Sequence, residues 1–239
     1  MFYCDAHIHL LPHMDNGSFS VDESLAMLEV LQRVRTRQLV LTPHFDCRSE
    51  TCAHFLSRRK ESYSLLRKKA GSLLHRMKCL LSAEVYLCNG ISKLALLERL
   101  CITNTRCLPL ELPLSGFDRQ MMAEMAHILH KRKLTPMITC TERYFLMYSQ
   151  QDYAVLANLP GTVYQFTARA LCDKPILYEA VRLLHTGHTV VVGSNAHGMD
   201  RRGPVDEKMM EIIENQCGKS VFEALSLKTA AFLKDAFEN

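Results

Sequence analysis

Residues 2–9 read FYCDAHIH and residues 13–18 read HMDNGS. The first stretch is a short apolar run that carries Asp5, His7 and His9 at alternating positions. On a β-strand, side chains two residues apart point to the same side, so these three are expected to share a face at the strand's carboxyl end. Two imidazoles and a carboxylate placed together are what a metal site needs, and a plain core strand avoids such a cluster. A first strand that delivers donor groups at its end fits a fold whose later strands do the same.

Working outward, apolar strands alternate with amphipathic helices along the whole chain. Ser20 with Glu23 forms a capping box that opens a helix through Leu25, Leu28 and Leu31. The next strand is QLVLTPH, ending at His44, followed by a basic helix over 53–74. A third strand, MKCLLSAEVYL, carries Glu84, and a helix is expected over 91–100. A fourth strand ends near Glu111, a helix spans 118–130, and PMITC, TVYQFT and TVVVGSNAH follow with helices between or after. About seven βα units with no linker between them predict parallel strands with right-handed crossovers, closing or nearly closing into one barrel domain over residues 1–239.

In such folds functional side chains collect at the carboxyl ends of strands. Here those ends supply His7, His9, His44, Glu84, Glu111, Cys140, Glu142, Gln165, Asn195 and His197. A lone histidine at a strand end is usually an ordinary hydrogen-bonded residue. Several strands all delivering imidazole or carboxylate at one end change that balance. Imidazole suits Zn, Mn, Fe or Cu, and shared carboxylates favour sites with more than one ion. Such ions clamp phosphate and generate hydroxide at neutral pH. Arg143 and Arg202 lie just past two of these strand ends, and a guanidinium fork matches phosphate oxygens. Together these groups point to phosphoester hydrolysis.

The bulk properties fit a globular enzyme and narrow the alternatives. The chain has 239 residues, 48% hydrophobic and 23% charged, with a net charge of +4, too mild for a nucleic-acid binder. No apolar run reaches membrane-spanning length and no secretory leader is expected at the N-terminus. Ten scattered cysteines without a CxxC pair predict reduced thiols in a cytoplasmic protein. The stretch CAHFLSR, Cys52 to Arg58, matches the bare C-x5-R pattern of cysteine-nucleophile phosphatases. It lacks the glycines of a phosphate-cradling loop and reads as the start of a helix. His127 and His130 read as part of a basic helix end, and His13 lies in the loop beside the proposed site.

The blocks DAHIHLLPHMDNG, LTPHF, SAEVYL, LPLELP, TCTERYF, YQFTARAL and GSNAHGMDRRGP occur in the order found in the PHP-superfamily tyrosine phosphatases of bacterial capsule and exopolysaccharide gene clusters, and the chain resembles that family over nearly its whole length. The resemblance implies a distorted (β/α)7 TIM-like barrel and a trinuclear metal centre, usually assigned as Mn. It implies hydrolysis of phosphotyrosine on the tail of a cognate tyrosine kinase, and a homo-oligomer is compatible with it. Matched position by position, it implies His7, His9, His44, Glu84, Glu111 and His197 as ligands, and Arg143 and Arg202 as phosphate-binding arginines, with Arg201 the alternative to Arg202.

This chain departs from the family pattern at positions that bear on the metals. Asp-Asn-Gly at 15–17 stands where the family has Asp-Asp-Gly, Cys140-Thr141-Glu142-Arg143 where it has His-Pro-Glu-Arg, and Ser194-Asn195-Ala196-His197 where it has Ser-Asp-x-His. The ligand positions are thus Asn16, Cys140 and Asn195 here. An amide oxygen can ligate but brings no charge, and Asp15 is a nearby substitute. A thiolate at Cys140 tilts selectivity towards Zn or Fe. The expectation is about one or two ions. The rival readings are a degenerate member that binds phosphotyrosine peptide or phosphate without turnover, and a small-molecule phosphatase.

Overall fold

A computed structural model describes residues 2–200 and 202–238, so Arg201 lies outside the described residues. The expected alternation of strands and helices is present. Strand β1 (Cys4–Ile8) is followed by α1 (Val21–Arg33), which Ser20 caps by accepting from Glu23 N at 3.1 Å. The Glu23 carboxylate takes the Phe19 N–H at 2.7 Å, one residue short of the reciprocal bond of a capping box.

The second expected strand is split into β2 (Gln38–Leu41) and β3 (His44–Phe45). Pro43 lies at the break, where its missing N–H cannot join a ladder. The basic helix is α2 (Cys52–Ala70), and Gly71, at φ 48°, separates it from the single turn α3 (Ser72–His75). The third strand is likewise split, into β4 (Lys78–Leu81) and β5 (Glu84–Tyr86). The helix expected over 91–100 is replaced by two 3-10 turns, Ile91–Lys93 and Leu97–Leu100. Gly90 and Leu96 precede those turns in the left-handed region, at φ 84° and 66°, which interrupts any continuous α-helix.

The remaining elements are β6 (Cys107–Glu111), α4 (Arg119–His130), β7 (Thr135–Ile138), α5 (Thr141–Met147), α6 (Gln150–Leu156), β8 (Val163–Thr167), α7 (Lys174–His185), β9 (Thr189–Gly193), α8 (Glu207–Ile213), α9 (Lys219–Phe232) and α10 (Lys234–Glu238). Cys52 and Arg58 both lie in α2, where Arg58 bonds Glu50 and the carbonyls of His13 and Met14, so no phosphate loop forms there.

All the strand pairs are parallel, in two ladders ordered β1-β2-β4 and β3-β5-β6-β7-β8-β9. Among the described residues these are open sheets, not the closed barrel the sequence predicts. Backbone bonds nonetheless run across the breaks, from Ser82 N to Leu41 O at 2.9 Å and from Glu84 N to Pro43 O at 3.0 Å. At the other margin, Asn195 N donates to His7 O at 2.8 Å and His9 N to Ala196 O at 3.0 Å. The segment after β9 is thereby fastened to the end of β1.

Two apolar clusters hold these layers. The larger packs the helices on the strands, with Leu39 and Leu41 of β2 among its members. The smaller takes the alternate residue Val40, with Leu80, Met137, Val163 and Val191 from other strands, and meets Phe237 of α10. Apolar residues thus occupy both faces of the strands, as in parallel sheets buried on both sides, and polar groups are left to the strand ends.

Candidate metal centre

The carboxyl ends of β1 and β6, the starts of the short strands β3 and β5, and the segments after β7 and β9 meet at one place. The imidazoles of His9 and His197 have centroids 3.8 Å apart, His9 and His44 4.5 Å, and His7 and His9 5.1 Å. In their midst lies Glu84. Its Oε2 is 3.4 Å from His7 Nε2, 3.3 Å from His9 Nε2 and 3.1 Å from His44 Nδ1. Its Oε1 accepts the Thr139 hydroxyl at 2.5 Å. Glu111 approaches from β6, with Oε2 3.5 Å from His44 Nδ1 and Oε1 accepting from Arg143 Nη1 at 2.7 Å.

The tautomers follow from the partners on the far side of each ring. Gln165 Oε1 accepts from Cys140 N at 2.8 Å while its Nε2 donates to Phe166 O, which fixes the amide's orientation. His7 Nδ1, 2.9 Å from the same Oε1, must therefore carry the proton. His9 Nδ1 donates to Asp15 Oδ2 at 2.8 Å, and His197 Nδ1 to the Asn195 carbonyl at 3.1 Å. Each ring thus turns Nε2 inward as a lone pair. His7 Nε2 and His9 Nε2 lie only 3.0 Å apart, and among the described residues the buried His197 Nε2 and Asn195 Oδ1 have no hydrogen-bond partner. Two facing lone pairs, an orphaned nitrogen and an orphaned amide oxygen need a proton or a cation among them, since buried polar atoms are otherwise paired. These residues fit divalent metal ions.

Electrostatics agree. Burial pulls the His7 and His9 pKa values down, but the carboxylates around them outweigh it: Glu84 chiefly for His7, Asp15 and Glu84 for His9. Both end above the usual histidine range. Burial would raise Glu84, yet His7, His9 and His44 hold it well below the carboxylate range. Burial, His9 and Arg202 push His197 down to about 2, so it is a neutral ligand-type imidazole.

Donor atoms lie within 4.8 Å of one another in the sets His9–His44–His197, His7–Glu84–Cys140 and His44–Glu84–Glu111. Cys140 begins α5 at φ 49°, and Asn195 follows β9 at φ 51°. Both are strained left-handed positions that turn a strand end inward, and Asn195 Nδ2 donates to Cys140 Sγ at 2.9 Å. Arg202 is exposed, and its carbonyl accepts from His197 N at 2.8 Å. Asn16 is exposed at the rim, where it helps line an open groove of about 400 Å³ with Asp15, His44, Phe45, Asp46, Tyr86 and Glu111.

The carboxylate next to it makes the closer contacts. Asp15 accepts from His9 Nδ1, from His44 N at 2.7 Å and from Gly17 N at 2.8 Å. Asp5, expected on the same face as His7 and His9, instead accepts from His7 N at 3.2 Å and Ser194 N at 2.8 Å. The register of β1 is irregular between Asp5 and Ile8, so strict alternation is lost there. Sequence reasoning placed Gln165 at a strand end but not in the site, and passed over Thr139. Thr139 is signalled only by a polar residue just past β7, and Gln165 only by a buried polar residue in the middle of the apolar β8.

A family model described as capsular polysaccharide synthesis, CpsB/CapC, matches residues 3–233. The chain belongs to this family. Its relatives include the tyrosine-protein phosphatases CpsB of Streptococcus agalactiae serotype V and serotype III, each 21% identical over 95% of this chain and 96% of the relative. Among solved structures, one from work on YwqE of Bacillus subtilis and CpsB of Streptococcus pneumoniae, described as unique metal-dependent tyrosine phosphatases, superposes with a TM-score of 0.74. It is 19% identical and covers 97% of this chain and 94% of that one. At this identity the superposition speaks for the fold alone.

Proposed function

We propose that this protein is a metal-dependent protein-tyrosine phosphatase acting on the phosphotyrosine tail of a cognate tyrosine kinase in capsule or exopolysaccharide synthesis. The observation that carries the reading is the convergence of His7 Nε2, His9 Nε2 and His44 Nδ1 on one oxygen of Glu84, with the His197 ring packed against His9. The relatives named as tyrosine-protein phosphatases support the substrate class. One domain over 1–239, a distorted (β/α)7 barrel, suits the backbone bonds that run from strand to strand and back to β1. Ten free thiols suit a cytoplasmic location, and among the described residues no helix is long and apolar enough to cross a membrane.

His7, His9, His44, Glu84, Glu111 and His197 are the principal ligands, with Asn195 Oδ1 and Cys140 completing the inner wall and Asn16 at the rim. Divalent ions held there, Mn by family likeness and Zn or Fe by the presence of Cys140, supply hydroxide at neutral pH and positive charge for phosphate oxygens. The chain's own work is orientation. Gln165 and Asp15 hold the tautomers of His7 and His9, and Glu84 keeps its charge between the imidazoles. Arg143, steadied by Glu111, and Arg202, on the segment after His197, offer forks for the phosphoryl oxygens. Tyr86 gives the substrate ring a wall in the groove.

The test is turnover of p-nitrophenyl phosphate and a phosphotyrosine peptide by chelator-stripped protein reloaded with Mn, Zn, Fe(II) or Co. Activity should return with at least one metal, and Glu84→Gln should lose about 100-fold or more. Phosphopeptide binding without turnover under every metal would replace the enzyme with a binding module, and preference for a small phosphomonoester would replace the substrate.

A further inference from the structure

Cys47 and Cys88 are not among the donors placed in the metal centre. Cys47 follows β3 and Cys88 follows β5, and these strands pair with His44 opposite Glu84 and Phe45 opposite Val85. The two chains leave the centre side by side, and the pair of sulfurs ends up 3.3 Å apart. Both residues are partly buried, so a small oxidant can reach them. Asp46 lies beside the sulfurs, but its carboxylate is held by the Arg48 guanidinium at 2.6–3.1 Å. That engagement argues against a cation between the sulfurs and leaves a dithiol.

We propose that Cys47 and Cys88 are a redox modification site, closed to an intramolecular disulfide by a hydroperoxide and reopened by thiol reductants. The Cys47 sulfur attacks the terminal peroxide oxygen, the O–O bond breaks, and the departing oxygen leaves with the thiol proton, as water from hydrogen peroxide or as an alcohol from an organic hydroperoxide. Cys47 is then a sulfenic acid. The Cys88 sulfur attacks it, the S–S bond forms, the S–O bond breaks, and hydroxide leaves as water with the Cys88 proton. The two thiols lose two electrons in all and the peroxide gains them. The order of attack follows from Cys88, whose thiol is pushed up to about 12 by burial and then by Cys47 beside it. Cys88 therefore enters second, as the resolving group, and gives up its proton as its sulfur attacks. The bond would brace the wall of the groove, where Arg48 lies 4.5 Å over the Tyr86 ring.

The experiment treats the full-length protein with hydrogen peroxide, alkylates remaining thiols, and maps peptides by mass spectrometry. The expected result is a Cys47–Cys88 cross-link with the loss of two free thiols, both recovered after dithiothreitol. Cys88→Ser should stop at a sulfenic acid on Cys47 that dimedone traps, while Cys47→Ser should give neither cross-link nor dimedone label at position 88. Each variant reads the pair separately if the other fails to fold. A Cys47–Cys52 link, a bond between molecules, or first labelling at Cys88 overturns the proposal. So does an extra Zn equivalent that the wild-type protein retains, that blocks oxidation and that Cys47→Ser loses. The readout is a mass, so it stands or fails independently of phosphatase turnover.

Discussion

The tautomer of His7 is decided by a residue that offers no ligand atom to the cluster. Gln165 Oε1 accepts from both His7 Nδ1 and Cys140 N, so one amide orients an imidazole and a strained strand end together. Replacing it by leucine leaves both donors buried and unpaired, at about 1–3 kcal/mol. It also frees the ring to rotate or to change tautomer. Gln165→Leu is expected to weaken metal affinity about 10–100-fold, read by competition with a chromogenic chelator. Unchanged affinity would remove Gln165 from the site's support. Steric fixing works beside this polar one. A Cβ at Gly193 would stand 2.6 Å from His7 Cβ and 2.7 Å from His7 N, closer than packing allows. Gly193→Ala should therefore destabilise by about 1–3 kcal/mol in urea unfolding and displace His7, with loss of metal affinity in the folded fraction.

At the scale of elements, the site depends on the start of α1 being tied to the segment after β9. The Glu23 carboxylate accepts from Phe19 N through Oε2 and from Met199 N at 3.1 Å through Oε1. One side chain thus caps a helix and restrains the stretch between His197 and Arg202. Glu23→Ala should cost about 1 kcal/mol of cap energy. It should raise KM for an aryl phosphate more than it lowers kcat, because Arg202 loses its placement while the imidazoles keep theirs. An equal fall in kcat with KM unchanged would count against that division. The sequence exposed the Ser20–Glu23 signature but not the second duty of Glu23, since a contact spanning such a separation leaves no periodic trace. It exposed His44, Glu84 and His197 because each follows an apolar run, although His44 and Glu84 open the short strands β3 and β5 instead of ending β2 and β4. The helix expected over 91–100 failed for a local reason. Apolar spacing is blind to backbone handedness, and Gly90 and Leu96 both take positive φ. Asp5 was misread because a register irregularity in β1 breaks the alternation on which the inference stood.

For the whole molecule, the metal centre and the stability of the fold are linked through protons. Groups from β1, β3, β5 and β6 and from the segments after β7 and β9 converge there, so an ion bound among them ties together strands that the two open ladders leave separate. Ligands that bind only the folded state stabilise it by mass action, by about 2.7 kcal/mol at a hundredfold excess over Kd. The protonated His7 and His9 occupy the same space as a cation. Because their folded pKa values lie above the unfolded value, their proton-dependent stabilisation is present at low pH and is lost as pH rises through the folded pKa. A metal must displace those protons, so its affinity should rise with pH over that same window. The melting temperature of the stripped protein should accordingly respond more strongly to added Mn or Zn at pH 8 than at pH 6. Calorimetric titration in two buffers of different ionisation enthalpy should show net proton release at the lower pH. A metal response independent of pH, or proton uptake on binding, would mean that His7 and His9 stay protonated in the loaded protein and that the cation is held elsewhere.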